Sequence, residues 1–407
     1  MKGPLKVVLG IVTSICGFIE VGSMSTSAQA GAEFGMRLLW AIAIATICLI
    51  FLVEMSGRIA LVSKHTLVSA VRERFGFRFQ AVPLGAEIVL DTLVLAAEIG
   101  GACVALQLVT GISYRWLAIP VGLLVWGLLW LGTFSLIENG VSALGMVTLA
   151  FVVATFVLRP DWRAVASGLV PSLPKASGSL PRYGFLAVSI LGATISPYLV
   201  NFYSSGAIEE HWGEKDFWPN RITAALGMGF GSVVSAAVLV VAALTLAPRG
   251  IRVEAFQQGA LMLVPPFGSW GVPLFAAALF VGCLGAALEV ALNLAYALSQ
   301  SLGWNWGEDQ KPHEDARFSL VYTAAILAGS LIMAAGLNPL KLTLFSMALT
   351  VVVLPLVVLP FLELMNDPHY LRTYRNGWIG NLVVLVVLVA AFLLALVVIP
   401  LEVVGGG

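Results

Sequence analysis

The chain is poor in charge. Only 11% of its 407 residues are Asp, Glu, Lys or Arg, 59% are hydrophobic, and the mean hydropathy is +0.96. Soluble domains carry about 25% charged residues, so a soluble globular protein is excluded and an all-α polytopic membrane protein is expected. The 22 basic and 22 acidic residues cancel, which leaves no charge argument for a nucleic-acid partner. Cysteine is scarce too. Cys16, Cys48, Cys103 and Cys283 all lie inside apolar runs, which argues against a disulfide framework or a zinc cluster. The four histidines (His65, His211, His313 and His369) sit in polar connections, so none is placed to act within the membrane. No phosphate loop, catalytic triad, haem motif or redox motif occurs, so the chain is not read as an enzyme and no cofactor is expected. Nothing marks an obligate protein partner; the lipid bilayer is the surrounding the composition calls for.

What the chain has in abundance is apolar runs. A span needs about 20 predominantly apolar residues, and about 11 are expected: 5–30, 37–57, 83–110, 116–133, 140–158, 185–206, 222–247, 271–298, 318–336, 341–364 and 378–401. The first run starts beside Lys2 and Lys6 and lacks a small-residue cleavage site followed by soluble sequence, so it reads as a retained span. The strongest basic cluster runs from Arg58 to Arg78. By the positive-inside rule it is cytoplasmic, which puts the N-terminus inside and, with an odd span count, the C-terminus outside.

Two runs are interrupted. In the first, Gly17 to Ser27 places Glu20, Gly22 and four hydroxyl residues where apolar sequence should continue. A charge near mid-bilayer costs roughly 2.5–3.5 kcal/mol on insertion scales. Glycine and hydroxyl residues make unwound backbone tolerable where it lines a cavity, and a carboxylate beside unwound carbonyls is a cation site in miniature. In the sixth, Ser196-Pro197 breaks the run, because proline removes a donor and clashes one turn back. Interruptions five spans apart are the pattern of two inverted repeats with a midplane site between them. The repeats are expected at about 5–158 and 185–364, with an extra helix at about 378–401, all in one transmembrane domain.

Further polar residues lie inside the runs. Glu87, Asp91 and Glu98 fall within about 40° of one another on the third span, at about 100° per residue. Glu289, Asn293, Tyr296 and Gln300 share a narrow face of the eighth. Such stripes face a bundle interior or an aqueous path. Tyr296 and Gln300 read as bonds between helices, Glu98 and Glu289 as lining a path, and Glu87 as near enough to the surface to be solvated. No Lys or Arg lies deep in a span, so this acidic interior suits cations or protons rather than anions.

Several stretches together resemble the Nramp family of divalent-metal transporters. They are Gln29-Ala-Gly-Ala-Glu-Phe-Gly35 with Leu38-Leu-Trp40, Glu98-Ile-Gly-Gly-Ala102 through Ala105-Leu-Gln107, Arg159-Pro-Asp-Trp162, Gly168 to Pro174, Leu191-Gly-Ala-Thr194 and Pro339-Leu-Lys-Leu342. The likeness covers nearly the whole chain. It implies the LeuT-type fold, with interrupted helices 1 and 6, and divalent-cation transport by alternating access across a bacterial plasma (inner) membrane.

The site motifs depart from that family. Its first-span Asp-Pro-Gly-Asn is Glu20-Val21-Gly22-Ser23 here, its sixth-span Met-Pro-His is Ser196-Pro197-Tyr198, a frequent tenth-span glutamine is Met347, and a third-span aspartate is Leu95. The resemblance then implies Glu20 as the anionic ligand, with Ser23, Ser196 and the carbonyls of Gly17 and Ile195 as neutral oxygens and Met347 nearby. Asp91, Glu98, Tyr198 and Glu289 would line the ion or proton path. A phenol, with a reference pKa of about 10, exchanges protons poorly at neutral pH, so weak proton coupling is expected. Loss of the sixth-span thioether makes the inferred shell all oxygen, which favours magnesium or manganese over softer metals, although Met24 and Met347 lie near enough in the pattern to return a sulfur. Two other readings remain open on the same fold: a carrier of a small organic solute, and a non-transporting sensor that has lost the site.

Overall fold

The computed structural model describes residues 20–131, 145–174, 180–307 and 316–405, and among these all regular structure is helical. In a bilayer the backbone must satisfy its own hydrogen bonds, which an apolar run does by winding into a helix. The helices are α1 (Val21–Phe34), α2 (Leu39–Ser63), α3 (Leu67–Phe75), α4 (Phe77–Thr110), α5 (Tyr114–Leu131), α6 (Leu149–Leu158) and α7 (Trp162–Gly168), then α8 (Leu180–Thr194), α9 (Pro197–Glu209), α10 (Phe217–Thr245), α11 (Gly271–Leu302), α12 (Ala316–Ala334), α13 (Pro339–Asn366) and α14 (Trp378–Gly405). Among the described residues nine helical segments are long and apolar enough to cross a membrane, and Met146–Leu158 is a shorter apolar one. They match the expected spans in order. The first half of the first span, with Gly17, lies outside the described residues.

Three differences from the expected boundaries are local. The polar stretch before the third span contains a helix of its own, α3, capped by Thr66, whose hydroxyl accepts from Ser69 N–H. The third span begins at Phe77 rather than 83, and Pro83 lies inside α4, where the helix continues past it with one backbone donor missing. The hydroxyl run Ser23 to Ser27 is helical, not unwound. Ser23 Oγ donates to Glu20 O (3.2 Å), Ser25 Oγ to Gly22 O (3.1 Å) and Thr26 Oγ1 to Gly22 O (2.8 Å), so these side chains bond back along their own helix.

Packing centres on α4 and α11, which lie against each other over much of their length, with α13 also on α4. The sixth span, α8 and α9, is almost wholly enclosed, whereas α14 is mostly open to its surroundings. Helix α1 packs on α8 and α10, and α5 on α12. Close approach is bought by glycine at two key crossings: a Cβ at Gly31 would strike the Leu239 carbonyl, and one at Gly192 the Met347 carbonyl.

Candidate functional site

Helix α1 starts abruptly beside Glu20, whose backbone is extended (φ −96°, ψ 169°). The opening N–H groups of a helix have no partner within it. Here Glu98 supplies one from α4: both of its carboxylate oxygens accept from Val21 N–H at 3.2 Å. Glu98 also accepts a hydrogen bond from the Cys283 thiol on α11. Gly101 makes room for this junction, since a Cβ there would lie 2.5 Å from Cys283 Sγ and 2.8 Å from Val21 Cγ2.

The sixth span breaks at Ile195 and Ser196. Pro197 then opens α9 at the position where its fixed φ and missing donor fit a helix start. Ser196 Oγ donates to Gly192 O at 3.2 Å. Two residues on, the Tyr198 hydroxyl donates to Glu20 Oε2 at 2.7 Å. That bond ties α9 to the start of α1.

Glu20 is 1% exposed, and its second oxygen, Oε1, has no hydrogen-bond partner. Leaving such a buried acceptor unsatisfied costs about 1–3 kcal/mol, more when charged. Beside it lies the thioether of Met347. A Cβ at Gly22 would sit 2.5 Å from Met347 Sδ and 3.0 Å from Glu20 Oε1. The free oxygen and the sulfur therefore flank one point, and glycine keeps it open. An anionic oxygen with no donor, a thioether and adjoining non-helical backbone can hold a cation.

The remaining expected residues fall around this point. Glu289 is half-buried and within electrostatic reach of Tyr198 and Glu98. Asp91 is within reach of Glu20. It accepts from Asn293 Nδ2 at 2.8 Å. Glu87, expected to be solvated, is buried and accepts from Asn201 Nδ2 at 2.8 Å, because α9 covers that turn of α4. Tyr296 donates to Glu209 Oε2 (2.9 Å), while Gln300 accepts from Thr66 Oγ1 (2.8 Å) and donates to Ser205 Oγ (2.9 Å), so both bridge helices as expected. Among the described residues no three His, Cys, Asp or Glu side chains converge as a metal-binding group. A cation here would meet one carboxylate and neutral donors.

One feature carried no sequence signal. Arg182, at the start of α8, makes a two-pronged bond to Glu33 (3.1 and 2.8 Å) and donates to Gln29 Oε1 (2.8 Å), while Gln29 Nε2 donates to Val253 O (2.7 Å). This clamp joins the far end of α1 to α8 and to the connection after α10, beside a cavity of about 780 Å³ lined also by Arg252, Glu254 and Lys341. Glu33 and Arg182 are too far apart in the chain for any local pattern to pair them.

Comparison with known proteins gives a consistent picture. The model of the natural resistance-associated macrophage protein-like family, Nramp, matches residues 10–400. The divalent metal cation transporter MntH of Deinococcus radiodurans is 28% identical over 68% of this chain, an alignment that spans 64% of that relative's length. MntH of Mycobacterium tuberculosis is 28% identical over 91% of this chain and 86% of its own. Among solved structures, the Eremococcus coleocola manganese transporter superposes with a TM-score of 0.78 at 20% identity, covering 96% of this chain and 85% of that one. Mhp1, a nucleobase-cation-symport-1 family transporter, gives 0.63 at 15% identity, covering 96% and 91%. The last two speak to the fold alone.

Proposed function

The chain belongs to the Nramp family, and from that premise we propose that it carries divalent metal cations across a bacterial inner membrane by alternating access. The family comprises membrane transporters rather than enzymes. The observation that carries the reading is Glu20 Oε1, a buried carboxylate oxygen without a donor at the non-helical start of α1. A bound cation would satisfy it, and an organic anion would be repelled.

In this reading Glu20 is the anionic ligand. The hydroxyls of Ser23 and Ser196 and the carbonyl of Ile195 add neutral oxygens, and Met347 adds a thioether. Asp91, Glu98, Tyr198 and Glu289 border the path. Carboxylate, hydroxyl and carbonyl oxygens suit magnesium and manganese, whereas sulfur suits later metals. The nearness of Met347 Sδ to Glu20 Oε1 favours manganese as the principal substrate, with magnesium second. The phenol of Tyr198 in place of a histidine supports weak proton coupling. The packing of α1 on α8, α2 on α10, α4 on α11 and α5 on α12 pairs spans five apart, which supports the two inverted repeats. The basic cluster from Arg58 to Arg78 supports a cytoplasmic N-terminus and an external C-terminus.

Manganese uptake into proteoliposomes tests the reading. Glu20→Gln should abolish uptake in a folded protein, while Glu20→Asp should retain part of it with altered affinity. Uptake at the wild-type rate in Glu20→Gln would overturn the site.

A further inference from the structure

We propose that Asp91 and Asn293 form a second binding position for the transported divalent cation, held between α4 and α11 and separate from the one at Glu20. The ion's identity rests on the function proposed above; the position rests on its own geometry. Asp91 is 1% exposed and Asn293 fully buried. Asn293 Nδ2 donates to Asp91 Oδ2 at 2.8 Å, yet Asp91 Oδ1 and Asn293 Oδ1 both lack any partner. The amide cannot be turned round to cure this, because its carbonyl would then face a carboxylate. The bonded pair therefore keeps two enclosed acceptor oxygens unfilled, one anionic and one neutral. Carboxylate and amide oxygens are the donor types that hard divalent ions take.

The surroundings favour a positive ligand. Glu87 lies one turn along α4 and within electrostatic reach of Asp91, and Asp91 is in turn within reach of Glu20. Arg78, at the start of α4, is the one basic residue in that helix, and α11 contains none. Asp91 stands seven residues from Glu98, which is about 10 Å along a helix, and Glu98 is itself anchored beside Glu20 through Val21. Two divalent ions that close would repel strongly in a low-dielectric interior. The two positions are thus filled in turn, and Asp91–Asn293 is a station the ion occupies after leaving, or before reaching, Glu20.

Mn2+ binding to the purified full-length protein, read by electron paramagnetic resonance, tests this. Glu20→Gln should bind Mn2+ at least tenfold more weakly than wild type but measurably. Adding Asp91→Asn should abolish that residual binding. Adding Asn293→Ala instead, which keeps the carboxylate, should weaken it at least fivefold. Thermal unfolding midpoints check that each variant is folded. The proposal is overturned if folded Glu20→Gln binds no Mn2+, or if Asp91→Asn leaves its residual binding unchanged; a proton or a water then fills the pair. Failure of the transport reading looks different, since the folded wild type would itself bind no Mn2+, and the proposal would fall with it.

Discussion

Helices α1 and α9 begin within hydrogen-bonding distance of each other, and they are built on opposite plans. The start of α1 carries a carboxylate with one oxygen held by Tyr198 and the other free, and its first N–H is fastened from outside by Glu98. The start of α9 carries no charge. Proline removes the N–H that would have needed a partner, and the Ser196 hydroxyl is spent on its own preceding turn. One break is held rigid by a neighbouring helix so that a charged atom can stay unsatisfied. The other satisfies its own donors and offers an ion only neutral oxygens. An interrupted helix is therefore not by itself a binding site; what matters is which polar atoms the rest of the bundle leaves unfilled.

Breaking the fastening at α1 should have the largest effect. Glu98→Leu strands the Val21 N–H, a loss of about 1–3 kcal/mol, and should remove manganese uptake along with a clear drop in unfolding midpoint. Glu98→Gln keeps one acceptor and should be milder on stability. Next comes Met347→Ala, which removes the sulfur beside Glu20 while leaving its oxygen. Cadmium should then compete with manganese about tenfold less well, a difference of about 1.4 kcal/mol, with manganese uptake itself little changed. Equal cadmium competition in the two proteins would mean that Met347 only packs. Ser196→Ala should do least, with less than a twofold change in uptake affinity. A loss as large as that of Glu98→Leu would erase the contrast between the two breaks.

Much of the fold was legible in the sequence because the bilayer forces a simple pattern: among the described residues the apolar runs are helices in the expected order, and Pro197 marked the sixth-span break. Glu20 was legible too, as a charge where none should stand. The roles of its neighbours were less so. Periodicity placed Glu87, Asp91 and Glu98 on one face of α4, but a shared face does not say what covers it. Only the packed structure puts Asn201 over Glu87, Asn293 against Asp91 and the Val21 N–H on Glu98. Met347 reaches Glu20 because Gly22 and Gly192 admit α13, a relation among three distant stretches of chain that no local pattern encodes.

The central claim is that the unfilled oxygen of Glu20 holds the transported ion. Anomalous diffraction from crystals grown with Mn2+ tests it most directly. The account predicts a manganese peak within coordinating distance of Glu20 Oε1, on the side facing Met347 Sδ, and its loss in Glu20→Gln. Manganese bound to the folded wild type with no peak at Glu20 Oε1, or a peak there that survives Glu20→Gln, would contradict the account.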